Sequence, residues 1–180
     1  METCVALFRG INVGGKNTLP MKELVALLER LGCRSVKTYI QSGNAIFRID
    51  AVGRTGLSRR IGDAVRKNHG FEPRVLLLKP ADLERAMAAN PFPEAEAKPK
   101  SLHVFFLDGV PPNPDLGALR ALKKGSERFH LEGGCFYLHA PEGIGRSRLA
   151  ARVEKSLGVA ATARNWQTVG NILKLADQLD

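Results

Sequence analysis

The chain is poor in the residues that build disulfide and metal frameworks. Its three cysteines, Cys4, Cys33 and Cys135, are odd in number, far apart and set beside apolar residues, with no CxxC pair. That pattern belongs to reduced thiols and excludes a disulfide scaffold. The four histidines, His69, His103, His130 and His139, show no HxxxH spacing, so no metal site is expected. Long apolar runs are missing as well. The longest run of Val and Leu alone is residues 75–78, against the roughly 20 apolar residues a membrane span needs. The start, Met-Glu-Thr with residues 5–8 as its one early apolar run, lacks the form of a signal peptide. The expectation is a cytoplasmic protein with no membrane partner.

Acidic residues are also in short supply. Against 18 Asp+Glu stand 27 Lys+Arg, a formal charge of +9 and a pI near 9.8. Residues 1–90 carry 15 basic and 8 acidic side chains, residues 91–180 carry 12 and 10. A basic surplus favours anionic partners. The remaining composition, 44% hydrophobic over 180 residues, is globular and sufficient for one domain or two small ones.

Periodicity predicts the elements. Residues 3–9 read as a strand, followed by a glycine-rich loop over 10–19. Residues 21–31 place apolar side chains at 21, 24, 25, 27, 28 and 31, one face of a helix. Pro20 suits its first turn and Gly32 its C-terminal cap. Strands over 35–41 and 44–50 flank Ser42-Gly43, a hairpin signal. A helix near 56–68 and a buried strand over 74–79 complete the order β-α-β-β-α-β, the ferredoxin-like unit. The second half repeats it: a strand at 102–107, a helix around Leu116, Leu119 and Leu122, and a hairpin of 127–132 with 135–139 across Gly133-Gly134. A helix around 149–157, a short strand at 159–163 and a terminal helix follow. The expected fold is α+β, two ferredoxin-like subdomains with antiparallel sheets, helices on one face and a C-terminal helix. The boundaries are 1–80, a helix and Pro-rich linker over 81–100, and 101–180.

A two-residue turn at Ser42-Gly43 would oppose Gln41 to Asn44 and Tyr39 to Ile46. It would send Val36, Thr38, Ile40, Ala45, Phe47 and Ile49 inward. The same count around Gly133-Gly134 sends Phe129, Leu131, Phe136 and Leu138 inward. It leaves Arg128, His130, Glu132, Cys135, Tyr137 and His139 on a polar face, either wet or packed on the equivalent face of the other half.

Four segments hold the conspicuous polar residues. Arg9-Gly10-Ile11-Asn12-Val13-Gly14-Gly15-Lys16-Asn17-Thr18 links a strand to a helix, an arrangement that presents backbone N–H groups to an anion. Gly10, Gly15 and Lys16 match the first seven positions of a phosphate-binding loop. Asn17 stands where a magnesium-holding hydroxyl belongs, and Pro20 starts the helix after the lysine. The second segment is Thr38-Tyr39-Ile40-Gln41-Ser42-Gly43-Asn44. Turn chemistry accounts for Gly43, Ser42 and Asn44, and Gln41, Ser42 and Asn44 also offer donors and acceptors. Asn44 and Ile46 stand where an RRM domain would need stacking rings. The third and fourth, Gly143-Ile144-Gly145-Arg146-Ser147 and Arg164-Asn165-Trp166, precede helices that Ser147 and Asn165 are suited to cap.

Taken together in order, these four motifs resemble the bacterial family catalogued as domain of unknown function 1697, over nearly the whole chain. The resemblance implies a duplicated ferredoxin-like α+β fold and assigns no activity. Gln167 departs from the Asn expected after the tryptophan.

No Ser/His/Asp or Cys/His arrangement and no carboxylate pair stands out, so the polar residues read as binding and positioning groups. The expected site is a set of loops around a phosphate-bearing ligand, a nucleotide or nucleic acid. Its contacts are Arg9, Asn12, Gly14, Gly15, Lys16, Asn17, Gln41, Ser42, Asn44, Arg146, Arg164 and Asn165. A magnesium-dependent phosphotransferase is the enzymatic alternative, and an interaction module without a small ligand is the third. Catalytic residues, cofactor and oligomeric state have no signal in the sequence.

Overall fold

The computed structural model describes residues 1–179. The chain divides into two units, Met1–Glu84 together with the chain from Asn171 onward, and Arg85–Gly170.

The first unit contains β1 (Glu2–Arg9), α1 (Met21–Arg30), β2 (Arg34–Tyr39) and β3 (Asn44–Ile49). A single helical turn, α2 (Ala51–Arg54), α3 (Leu57–His69), β4 (Arg74–Leu78) and the start of α4 (Pro80–Ala88) follow. The strands pair antiparallel in the order β2-β3-β1-β4, the ferredoxin-like arrangement. Alternation along β1 sends Cys4, Ala6 and Phe8 to one face. There they join Phe47, Leu24, Leu27 and Leu28 of α1, and Leu57, Ile61 and Val65 of α3 in one core. The opposite face of β1 is also buried at Val5 and Leu7. Helix α1 ends as expected at Gly32 (φ 92°), where Cys33 N–H donates to Leu28 O at 3.0 Å and Gly32 N–H to Glu29 O, a Schellman cap.

The second unit repeats the plan with β5 (Leu102–Leu107), α5 (Leu116–Leu122), β6 (Arg128–Glu132), β7 (Cys135–His139), α6 (Val153–Leu157), β8 (Ala161–Asn165) and the start of α7 (Trp166–Asp177). Its order, β6-β7-β5-β8, is the first sheet's order shifted by four strands. Phe105, Phe136, Leu138, Leu119, Leu149, Val153 and Leu157 form its core. Phe136 meets Phe105 edge-on at 5.6 Å and stacks on Phe129 at 5.4 Å.

The second hairpin has the expected register, Glu132 opposite Cys135 and Phe129 opposite Leu138. The first does not. Tyr39 opposes Asn44 and Thr38 opposes Ala45, so the connection spans residues 40–43 in place of Ser42-Gly43 alone. Ile40 enters the turn at φ 51° and is 50% exposed, not inward as expected. A shift of two residues keeps Thr38, Ala45 and Phe47 on their predicted face, because the strand period is two, and a bulge between Arg34 and Lys37 sets Arg34 opposite Arg48. The outer face of the second sheet is not wet at its centre: Tyr137 is 1% exposed, and its hydroxyl donates to Ala86 O of α4 at 2.7 Å.

Candidate functional site

The loop leaving β1 is the most constrained irregular segment of the first unit. Gly10, Asn12, Gly14, Gly15 and Asn17 all adopt positive φ, a region that favours Gly and tolerates Asn. Asn12 N–H donates to Asn17 O at 3.1 Å and Lys16 N–H to Val13 O at 3.0 Å. Residues 12–17 are therefore a miniature β-hairpin, closed by Gly14-Gly15 with φ of 57° and 72°. Two successive positive φ values are the signature of a type I′ turn.

Two side chains hold this hairpin, and a third closes the turn beside it. Asn12 Nδ2 donates to Leu19 O at 2.9 Å and to Gln41 O at 2.8 Å, while its Oδ1 accepts from Leu19 N–H at 2.8 Å. Asn17 Nδ2 donates to Gly10 O at 2.8 Å. The fully buried Asn44 closes the neighbouring turn, donating to Tyr39 O at 2.9 Å and Ser42 Oγ at 3.3 Å. Tyr39 Oη in turn accepts from Asn171 Nδ2 at 2.6 Å. Gly43 lets the two segments meet: Phe8 N–H donates to Gly43 O at 2.8 Å. A Cβ at Gly43 would lie 2.5 Å from Ile11 Cδ1 and 2.6 Å from Phe8 Cβ.

The structure thus brings the 10–17 loop and the 39–44 turn together, and it gives Asn12, Asn17, Asn44 and Ser42 bracing roles. Residues 13–18, with Arg9, Gln41 and Ser42, are exposed. The phosphate-loop spacing needs a physical correction. Its glycines form a hairpin tip and do not wrap a helix N-terminus. Helix α1 starts at Met21 behind Pro20, five residues after Lys16. The parallel strands that would support a phosphotransferase of that type are not formed: β1 and β5 lie in different sheets and pair only antiparallel.

One basic group escaped the sequence reading. In the β1–β4 pair Arg74 stands directly opposite Arg9, which puts the two arginines on one face about 5 Å apart at Cβ. The β1–β4 register could have revealed it, had that pairing been aligned.

Arg146, Arg164 and Asn165 belong to the second unit. Arg146 is exposed at the end of a 3₁₀ turn over Ile144–Arg146. Ser147 Oγ accepts from Ala150 N–H at 3.0 Å, and Asn165 Oδ1 accepts from Thr168 N–H at 2.8 Å, which are the capping roles expected of them. Arg164 Nη1 donates to Ala163 O at 2.8 Å, and burial lowers its pKa to about 10. A groove of about 570 Å³ in this unit is lined by Lys98, Lys100, Ser101, Glu142 and Gln167 among others. Glu142 in it is held below the usual carboxylate range by hydrogen bonds from Ser126 and Lys124.

Burial pushes the Cys4 and Cys33 thiols up to about 11 and about 12, so neither is a ready nucleophile. Among the described residues no three His, Cys, Asp or Glu side chains cluster as metal ligands. No described helix is long and apolar enough to cross a membrane.

The protein family described as "Protein of unknown function (DUF1697)" matches residues 1–137. The chain belongs to this family. The DUF1697 match includes the 10–17 hairpin, the 39–44 turn and Arg74, and ends before Arg146, Arg164 and Asn165. Among solved structures, the conserved bacterial protein SP0830 from Streptococcus pneumoniae is similar to this DUF1697 chain. The two are 23% identical, with a TM-score of 0.67, over 97% of this chain and 98% of that one. At that identity the likeness shows the fold, duplicated sheets included, and nothing of activity. Among curated proteins no relative of the chain was found.

Proposed function

We propose that the protein binds a phosphate-bearing ligand, a nucleotide or nucleic acid of the bacterial cytoplasm, through the 10–17 hairpin and the adjoining 39–44 turn. The carrying observation is an exposed loop with internal bracing. Four of residues 12–17 adopt positive φ, and three hydrogen bonds of the Asn12 side chain tie the loop to Leu19 and Gln41, while residues 13–18 stay open to solvent. A mere connection between a strand and a helix needs no such bracing. A pre-ordered loop, by contrast, lowers the entropy lost on binding.

Charge supports the reading. Arg9 and Lys16 flank the loop, Arg74 lies beside Arg9, and basic groups of this kind make charge-assisted bonds to phosphate.

The test is a titration of the full chain against a fluorescent adenine nucleotide and labelled short RNA and DNA, each single-stranded and duplex, at 50 mM and 500 mM salt. Arg9→Ala with Lys16→Ala should weaken binding at least tenfold while far-UV circular dichroism stays unchanged. No binding at 50 mM salt, or equal binding by the double variant, overturns the proposal.

A further inference from the structure

We infer that the ligand of the 10–17 hairpin is a nucleic-acid duplex, read through its phosphates and groove, and neither a free nucleotide nor a single strand. This inference rests on the function proposed above and narrows it.

The first ground is shape. Small-ligand sites are concave and enclose most of the ligand. Residues 13–18 are all exposed, Val13 is 67% exposed, and a Cβ added to Gly10, Gly14 or Gly15 would meet nothing within 4 Å. The hairpin stands out from its unit. It is itself suited to enter a groove, with a narrow Gly14-Gly15 tip and the small apolar Val13 beside it. A two-stranded β-ribbon is a known geometry for groove entry.

The second ground is the lack of rings. Proteins that hold single strands stack bases on aromatic side chains. Residues 9–18 and 40–44 contain no Phe, Tyr or Trp. Of the two rings that adjoin these segments in sequence, Phe8 is fully buried and Tyr39 is half-buried with its hydroxyl bonded to Asn171.

The third ground is one-signed charge. Residues 3–22 and 30–49, which supply β1 apart from Glu2, the hairpin, β2, the turn and β3, contain no Asp or Glu and carry seven Lys or Arg, and Glu2 is paired with Lys79 at 3.0 Å. The acidic group at the entry to β4, Glu72, is paired with Arg66 at 2.8 Å. Arg9 and Arg74 sit side by side at the base of the hairpin, and Lys16 follows its tip. Two arginines at the base of a protrusion and a lysine near its tip suit a continuous row of phosphates better than a single phosphate group.

The experiment is fluorescence anisotropy on the full chain with four probes: a 16-base-pair RNA duplex, a 16-base-pair DNA duplex, a 16-nucleotide single strand and a labelled ATP. Three phosphate contacts predict a slope of about −2.7 in log K against log salt, or about 40-fold weaker duplex binding from 50 to 200 mM. Lys16→Ala should reduce that loss to about 12-fold, since one contact is removed. One or both duplexes bound at least tenfold tighter than the single strand and ATP supports the inference, and the duplex arms tell RNA from DNA. A single strand or ATP bound as tightly as either duplex overturns it but leaves the proposed function standing. Failure of all four probes at 50 mM overturns both.

Discussion

Replacing Asn12 by alanine removes three hydrogen bonds at once, two donated to the Leu19 and Gln41 carbonyls and one accepted from Leu19 N–H. At a net contribution of about 1 kcal/mol each, their loss costs about 3 kcal/mol. Position 12 also sits at φ 53°, where alanine adds about 1 kcal/mol of left-handed strain. Asn12→Ala should therefore destabilise the fold by about 4 kcal/mol, and Asn12→Gly, which escapes the strain, by about 3 kcal/mol. Asn12→Asp keeps the acceptor but turns a carboxylate toward two carbonyl oxygens. The introduced acid has a raised folded pKa, so the variant should be closest to wild type in acid and weakest at neutral pH. Urea unfolding followed by circular dichroism reads the first two effects, and the same series between pH 3.5 and 7.5 reads the third. If Asn12→Ala unfolds within 0.5 kcal/mol of wild type, the loop is not held by this residue, and the pre-ordering that supports ligand binding falls with it.

Three further substitutions separate crowding from backbone strain and locate an acid-sensitive core position. Gly43→Ala meets both a positive φ of 81° and side-chain atoms at 2.5 and 2.6 Å, so it should cost at least about 3 kcal/mol. Gly14→Ala meets positive φ but open space, so it should cost only about 1 kcal/mol; equal melting shifts for the two would refute the close-approach role of Gly43. His103, 7% exposed, has its pKa lowered from 6.5 to about 4 by burial, against a smaller opposing effect of the Ser101 backbone. The neutral ring is the folded form, so its stabilisation is complete above pH 6.5 and is lost as pH falls through 4. The loss amounts to roughly 3 kcal/mol. His103→Phe should flatten the stability–pH profile over that window, and an unchanged slope would refute the assignment.

Strand and helix periods were legible because each element buries a stripe of the right spacing, as Leu24, Leu27 and Leu28 do on α1. The two hairpins show where legibility stopped. Gly133-Gly134 closes a two-residue turn, so counting outward gave the correct pairs. Ser42-Gly43 looks like the same signal, yet Asn44 bonds back to Tyr39 O and draws Ile40 into the turn at φ 51°. Nothing in the identity of a β-branched isoleucine announces that conformation. The glycine-rich segment does connect β1 to α1 as its composition predicts, but the bracing of the backbone by the side chains of Asn12, Asn17 and Asn44 is not legible from residue identity. One signal was available: a Gly-Gly pair between short flanks is itself a type I′ turn signature. Arg74 stayed hidden because its importance comes from a partner 65 residues away, across the sheet.

The division of the chain bears on the order of events during synthesis. The first unit includes the chain from Asn171 onward, and Asn171 supplies the donor to Tyr39. Glu84 and Asn171 are separated by the whole second unit, which a ribosome adding about 5–20 residues per second needs roughly 4–17 s to make. During that interval the nascent chain holds every residue of the first sheet and the hairpin but not the helical segment that completes their unit. The first unit is thus completed only after the second has been made, and the Tyr39 hydroxyl beside the candidate site acquires its partner later than the rest of its unit.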